Sequence, residues 1–161
     1  MKRLAAEEIP STLAVSLHAA TDELRNTLVP LNRAYPLDQL LPAARDYARD
    51  TGRRVSFEWC LIGGVNDSVE QARALRDVAR SCAAHVNVIP MNHIDDSPWG
   101  PPSRAVERRF LAELGDVALT IRDTRGADTD AACGQLRADL EQRRHLQPDG
   151  SLGPQRPAVL S

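Results

Sequence analysis

From Ser11 to about Arg144, short runs rich in β-branched and aromatic residues alternate with stretches whose apolar positions recur every three or four residues. That alternation of a period near two with a period near 3.6 is the signature of βα units laid on a parallel sheet. Four units can be counted. The first strand is predicted over Thr12–Leu17, and a polar turn leads to a helix opening near Asp22 with Leu24 and Leu28 on one face. A second helical stretch, Pro36–Asp50, sets Leu37, Leu40, Leu41, Ala44 and Ala48 at helical spacing and stops at Gly52. Pro42 lies inside it. A kink or a restart is expected there, because proline lacks the N–H that an interior helical position donates.

The second strand, Arg54–Leu61, alternates Val55, Phe57, Trp59 and Leu61 with Ser56, Glu58 and Cys60, so it presents two distinct faces. Gly63-Gly64 ends it. Ser68 and Gln71 then form a predicted capping box, in which each side chain meets an orphan backbone donor of the other residue. The helix that follows turns Ala72, Leu75, Val78 or Ala79, and Cys82 inward. A third strand is predicted over His85–Met91, followed by a proline-rich loop from Asn92 to Pro102. Next comes a helix capped by Ser103 that carries Val106, Phe110 and Leu114. The fourth strand is predicted over Val117–Arg122, and the last helix starts near Asp130 and fades by Arg144. The ordered domain is therefore expected over residues 1–145, with a disordered tail of prolines and glycines over residues 146–161.

A closed barrel of eight βα units needs about 250 residues, so this chain of 161 residues is expected to hold part of one, or a smaller layered fold. Its formal net charge of −2 gives no chain-wide basic surface, although Lys2 is the sole lysine among 20 basic residues. Arginine suits phosphate through its paired donors, but a biased coding composition explains the excess equally well. Cys60, Cys82 and Cys133 are far apart, so their spacing supplies neither an iron–sulfur nor a zinc framework, and their odd, sparse count points to a reducing compartment. The Met1–Pro10 segment is charged and lacks the apolar core of a signal peptide, and no apolar run approaches the roughly 18 residues of a membrane span. A cytoplasmic protein without a membrane partner is expected.

In βα architectures the reactive groups gather at the carboxyl ends of the strands. That rule selects Ser16 and His18 after the first strand, Glu58 and Cys60 near the end of the second, Asn92 after the third, and the segment from Arg125 to Cys133 after the fourth. Cys133 would fall in the first turn of a helix capped by Asp130, where the unpaired N–H groups favour thiolate, although free cysteines are also common as small core residues. Cys60 has a simple packing role open to it, and Cys82 reads as core. Ser16 and His18 are either ligand contacts or groups that satisfy a strand end, and Asn92 either holds a ligand or caps a loop. His93, Asp95 and Asp96 are close enough for a divalent cation, but a solvated loop is the commoner outcome, and no metal site is assigned.

Several motifs acquire a common meaning when read together: Leu13-Ala14-Val15-Ser16-Leu17-His18-Ala19, Asp22-Glu23-Leu24-Arg25, Leu28-Val29-Pro30-Leu31-Asn32, Val86-Asn87-Val88-Ile89-Pro90-Met91-Asn92, Thr124-Arg125-Gly126, and Asp130-Ala131-Ala132-Cys133-Gly134-Gln135-Leu136. Over Leu13 to Leu140 the chain resembles the radical-SAM 23S rRNA adenine-C2 methyltransferases, a family that includes adenine-C8 relatives. The resemblance implies an α/β fold made of about four C-terminal βα units of an incomplete TIM-like barrel. It implies S-adenosylmethionine at Ser16, Leu17, His18 and Asn92, and it makes Cys133 the cysteine that carries the methyl group as a thioether. It also implies 23S rRNA as substrate, with tRNA as a further one, and a [4Fe–4S] cluster. The CxxxCxxC loop that holds this cluster is absent from these residues, so the chain is expected to be inactive alone and to need a cluster-binding half in cis or in trans. A non-catalytic remnant or binding module of the same fold, or an adenine-C8 relative, is the alternative. Two departures stand out: Asn92-His93-Ile94-Asp95-Asp96 replaces the family's Asn-Pro-x-Pro-Gly, and Thr129 replaces an apolar residue.

Overall fold

The computed structural model describes residues 1–7 and 12–122, all within one of the chain's two units, Met1–Thr124. Cys133, the predicted last helix and the predicted tail lie outside the described residues. Strands β1 (Leu13–Ser16), β2 (Val55–Leu61), β3 (His85–Pro90) and β4 (Leu119–Ile121) form a parallel sheet in the order β1-β2-β3-β4. Parallel neighbours taken in sequence order, joined by crossovers of one hand, place their helices on one side of the sheet, as in a barrel wall. The architecture is thus the expected α/β partial barrel.

The strand pattern accounts for the two faces. Val15 pairs with Phe57, Phe57 with Val86 and Val86 with Leu119, which makes an apolar row across all four strands. One position along, Ser16 pairs with Glu58, Glu58 with Asn87 and Asn87 with Thr120, a polar row on the opposite face. Against the apolar face lie helices α3 (Leu37–Thr51), α4 (Val69–Ser81) and α5 (Arg104–Leu114). They contribute Ala44 and Tyr47, Ala72, Leu75 and Ala79, and Phe110 and Leu114 to one core with Val55, Phe57, Trp59 and Leu61. The Trp59 and Phe110 rings meet at 5.8 Å and 37°. Truncating a side chain such as Leu75, which is fully buried, would cost about 2–5 kcal/mol.

Several expectations are corrected. Helix α2 (Asp22–Leu28) buries Arg25 more deeply than the half-buried Leu24 and Leu28, because the guanidinium finds backbone acceptors there. Helix α3 runs unbroken through Pro42, with neither restart nor second segment. The missing N–H falls early in the helix, and the buried Leu37, Ala44 and Tyr47 hold it to the sheet on both sides of the proline. Only half of the capping box forms. Ser68 Oγ accepts from the Gln71 N–H at 3.2 Å, but Gln71 Oε1 accepts instead from the Ala20 N–H at 3.1 Å. Strand β4 begins at Leu119 rather than Val117, whose N–H donates back to the Leu114 carbonyl and closes the end of α5. A short helix, α1 (Lys2–Ala6), was not expected from the pattern.

Two glycines matter to the layout. Gly52 stops α3 in the left-handed region at φ 65°, as the spacing predicts. Gly63 sits where a Cβ would lie 2.7 Å from the Pro101 carbonyl oxygen, and its N–H donates to Gly100 O at 2.9 Å. The loops leaving β2 and β3 are therefore locked together beside the strand ends.

Candidate functional site

The exits of β1, β2 and β3 lie on one side of the sheet, since all strands are parallel and consecutive. At the first exit the chain does not simply turn away. The N–H groups of Leu17 and His18 both donate to Glu58 O, at 3.0 and 3.4 Å, which keeps β1 against β2 past its last residue. His18 then adopts φ 59°, a left-handed conformation that an ordinary side chain enters at a cost of roughly 1–2 kcal/mol. Its Nδ1 accepts from the Cys60 N–H at 3.0 Å, so the imidazole lies across the end of β2.

Two buried polar groups support this turn. Arg25, 5% exposed, donates from Nε to Leu17 O at 3.0 Å, from Nη2 to Ser16 O at 3.1 Å and from Nη1 to Asn32 Oδ1. Asn32 in turn donates to Asp22 Oδ1 at 2.9 Å, and the same carboxylate accepts from the Leu37 N–H at 2.9 Å. Those hydrogen bonds, from Leu37 and then Asn32, hold the Asp22 carboxyl below its ordinary pKa. Asn66, fully buried, accepts from the Ile62 N–H at 2.7 Å and donates to His18 O at 2.8 Å and to Cys60 O at 2.7 Å. It ties the first mouth loop to the second.

Of the residues singled out in the sequence, Ser16, His18, Glu58 and Cys60 come together. Ser16 is exposed on the polar face beside Glu58, whose carboxylate accepts from Ser56 Oγ at 2.8 Å and from Asn87 Nδ2 at 2.6 Å. Leu17 enters the mouth through its backbone alone, because its side chain is fully buried in the core. Asn92, two residues past the end of β3, is half-buried; the Met91 N–H before it donates to Leu61 O at 2.9 Å, which brings that exit alongside the end of β2. Burial pushes the Cys60 thiol above its ordinary pKa, the opposite of what a nucleophile or metal ligand needs. The His18 imidazole is held below its ordinary value, first by burial and then by Arg25, with Glu58 opposing.

His93 Nε2 and Asp95 Oδ1 lie 3.4 Å apart, but no group of three His, Cys, Asp or Glu side chains able to hold a metal occurs among the described residues. No described helix is long and apolar enough to cross a membrane. Sequence reasoning missed Arg25, Asn32 and Asn66. Arg25 lies within α2, Asn32 in a short 3-10 turn and Asn66 in the loop after β2, and at each place a polar side chain bound for the interior carries the same signal as a solvated one.

Consecutive parallel βα units with a polar mouth at their strand ends are shared with a solved radical-SAM structure. A radical SAM methyltransferase from Sphaerobacter thermophilus superposes with a TM-score of 0.77 at 49% identity, covering 83% of this chain and 40% of that one. A domain of the pyruvate-formate lyase-activating enzyme from Bacteroides vulgatus shares the fold alone, with a TM-score of 0.59 at 18% identity, covering 76% of this chain and 75% of that one. No family model matches the chain. The chain is about half identical to curated proteins named RlmN and matches a C-terminal part of them. The probable dual-specificity RNA methyltransferase RlmN of Desulforudis audaxviator is 52% identical over 147 residues, which cover 90% of this chain and 45% of the relative. The chain thus spans less than half the length of that relative.

Proposed function

We infer that these residues form the S-adenosylmethionine-binding mouth and the methyl-carrying segment of a radical-SAM methyltransferase acting on carbon 2 of an adenine in 23S rRNA, and also in tRNA. One observation carries the reading most directly: at the exit of β1 the exposed Ser16 is followed two residues on by His18, whose imidazole the Cys60 N–H holds, inside a sequence about half identical to the RlmN relatives. The polar, partly open mouth suits an adenosyl group, with His18, Ser16 and Asn92 as its contacts and the Leu17 backbone shaping the turn.

The same residues do not fit an iron–sulfur cluster. Cys60 lies on β2 and Cys82 at the end of α4, and burial favours the protonated form of Cys60. No step is assigned to a cluster on this chain. When bound, S-adenosylmethionine supplies an electrophilic methyl on a sulfonium. Cys133 is the proposed acceptor of that methyl, which it would hold as a thioether on its sulfur.

The test supplies a cluster-binding N-terminal half in trans. Mass spectrometry of the complemented enzyme is expected to find a methyl group on Cys133 and on neither Cys60 nor Cys82. Cys133→Ala should abolish methylation of the RNA while leaving solubility unchanged. Full methylation by that variant would overturn the assignment, and 8-methyladenine as product would move the chain to the adenine-C8 relatives.

A further inference from the structure

We propose that Asn66 is a positioning residue that, together with the Cys60 N–H, fixes His18 as a neutral imidazole whose Nε2–H is the donor presented to the ligand. The contact atom on that ligand is then a hydrogen-bond acceptor, such as a ring nitrogen or a hydroxyl oxygen. This rests on the cofactor reading above for the ligand's identity, but not for the state of the imidazole.

The tautomer follows from the partners. A backbone amide only donates, so Nδ1 of His18, 3.0 Å from the Cys60 nitrogen, has to be the unprotonated, accepting atom. The proton of the neutral ring is then on Nε2. No described residue partners Nε2, and it is not among the polar atoms closed off from solvent. Protonating Nδ1 would set two donors against each other.

Holding the ring there requires a second device, because His18 sits at φ 59°. Asn66 provides it. Its amide uses Oδ1 for the Ile62 N–H and both Nδ2 hydrogens for the carbonyls of His18 and Cys60. The side chain thereby grips the residue whose imidazole must stay in place and the residue whose N–H holds that imidazole. Aspartate would keep the acceptor and lose both donors. Glutamine would be a methylene too long for a site with no exposed surface. Burial opposes protonation of the imidazole most; of the charged groups that act on it, Arg25 from α2 opposes protonation as well and Glu58 from β2 favours it.

Nitrogen-15 spectra of the 161-residue chain labelled at histidine read the tautomer without any ligand. The parent is expected to show His18 as a single Nε2–H species at neutral pH, and Asn66→Asp to show a mixture of tautomers. Calorimetry with S-adenosylhomocysteine as probe supplies the second measurement, on a pair of variants that leave Asn66 intact. His18→Gln keeps a donor where Nε2–H was and should bind within about threefold of the parent, whereas His18→Asn should lose about tenfold, the worth of one hydrogen bond. A role confined to backbone conformation predicts the reverse order, since asparagine tolerates the left-handed region better than glutamine. An Nδ1–H species in the parent, unchanged spectra in Asn66→Asp, or tighter binding by His18→Asn than by His18→Gln would each overturn the proposal. Failure of the parent to bind the probe would sink the cofactor reading instead, and the spectra would still decide the state of His18.

Discussion

At the scale of single residues, the site is held by buried polar groups whose protonation is coupled to folding. The His18 pKa is lowered in the folded chain, so between that value and the ordinary imidazole pKa of about 6.5 the unfolded state binds more protons. Stability therefore rises with pH through this window and is lost as pH falls through it. Asp22, also lowered, adds a further loss at more acidic pH, as the carboxylate that receives Leu37 and Asn32 is protonated. Urea midpoints measured between about pH 5 and 7.5 should climb with pH for the parent, and the climb should be shallower in His18→Gln, which has nothing to titrate there. Equal slopes would mean that His18 does not carry the effect. His18 was legible in the sequence by its place after a strand. Its supports were not: Arg25 and Asn66 are polar residues in polar surroundings, and only the folded chain brings the carbonyls of Ser16, Leu17, His18 and Cys60 within their reach.

At the scale of elements, the strict alternation of Val55, Phe57, Trp59 and Leu61 with polar neighbours made β2 readable with both its faces. Helices α4 and α5 were equally readable from Ser68 and Ser103, which do accept from the N–H groups of Gln71 and Val106. The restart expected as one outcome at Pro42, which the unbroken α3 does not show, marks the limit of local rules. A proline forfeits one hydrogen bond, but the burial of Leu37, Ala44 and Tyr47 outweighs that loss. Pro42→Ala should therefore restore a donor to the Asp38 carbonyl and raise unfolding stability by about 1 kcal/mol, after allowing for the larger entropy of the unfolded alanine chain. A lower urea midpoint would show instead that the half-buried ring contributes packing that alanine cannot replace. The salt links joining α4 to α5, Arg73 with Glu113 and the Arg80–Asp116 pair beyond it, are exposed and worth little by comparison.

At the scale of the whole molecule, one face of the sheet carries the helices and the other carries the polar row from Ser16 to Thr120. The radical chemistry of the class needs a cluster that these residues do not hold. Reconstituted with iron and sulfide under anaerobic conditions, the 161-residue chain should form no 5′-deoxyadenosine from S-adenosylmethionine, and turnover to that product would overturn the assignment of cluster chemistry to a separate half. Folding of the chain can be followed without any label. Its two tryptophans lie in opposite surroundings, Trp59 fully enclosed against Phe110 and Trp99 42% exposed on the loop after β3. An enclosed indole emits at shorter wavelength than a wetted one, so a single fluorescence spectrum carries two separable signals. The blue component reports the core and disappears as it melts; the red component is the one an external quencher reaches first, and it reports the loop that closes over Gly63.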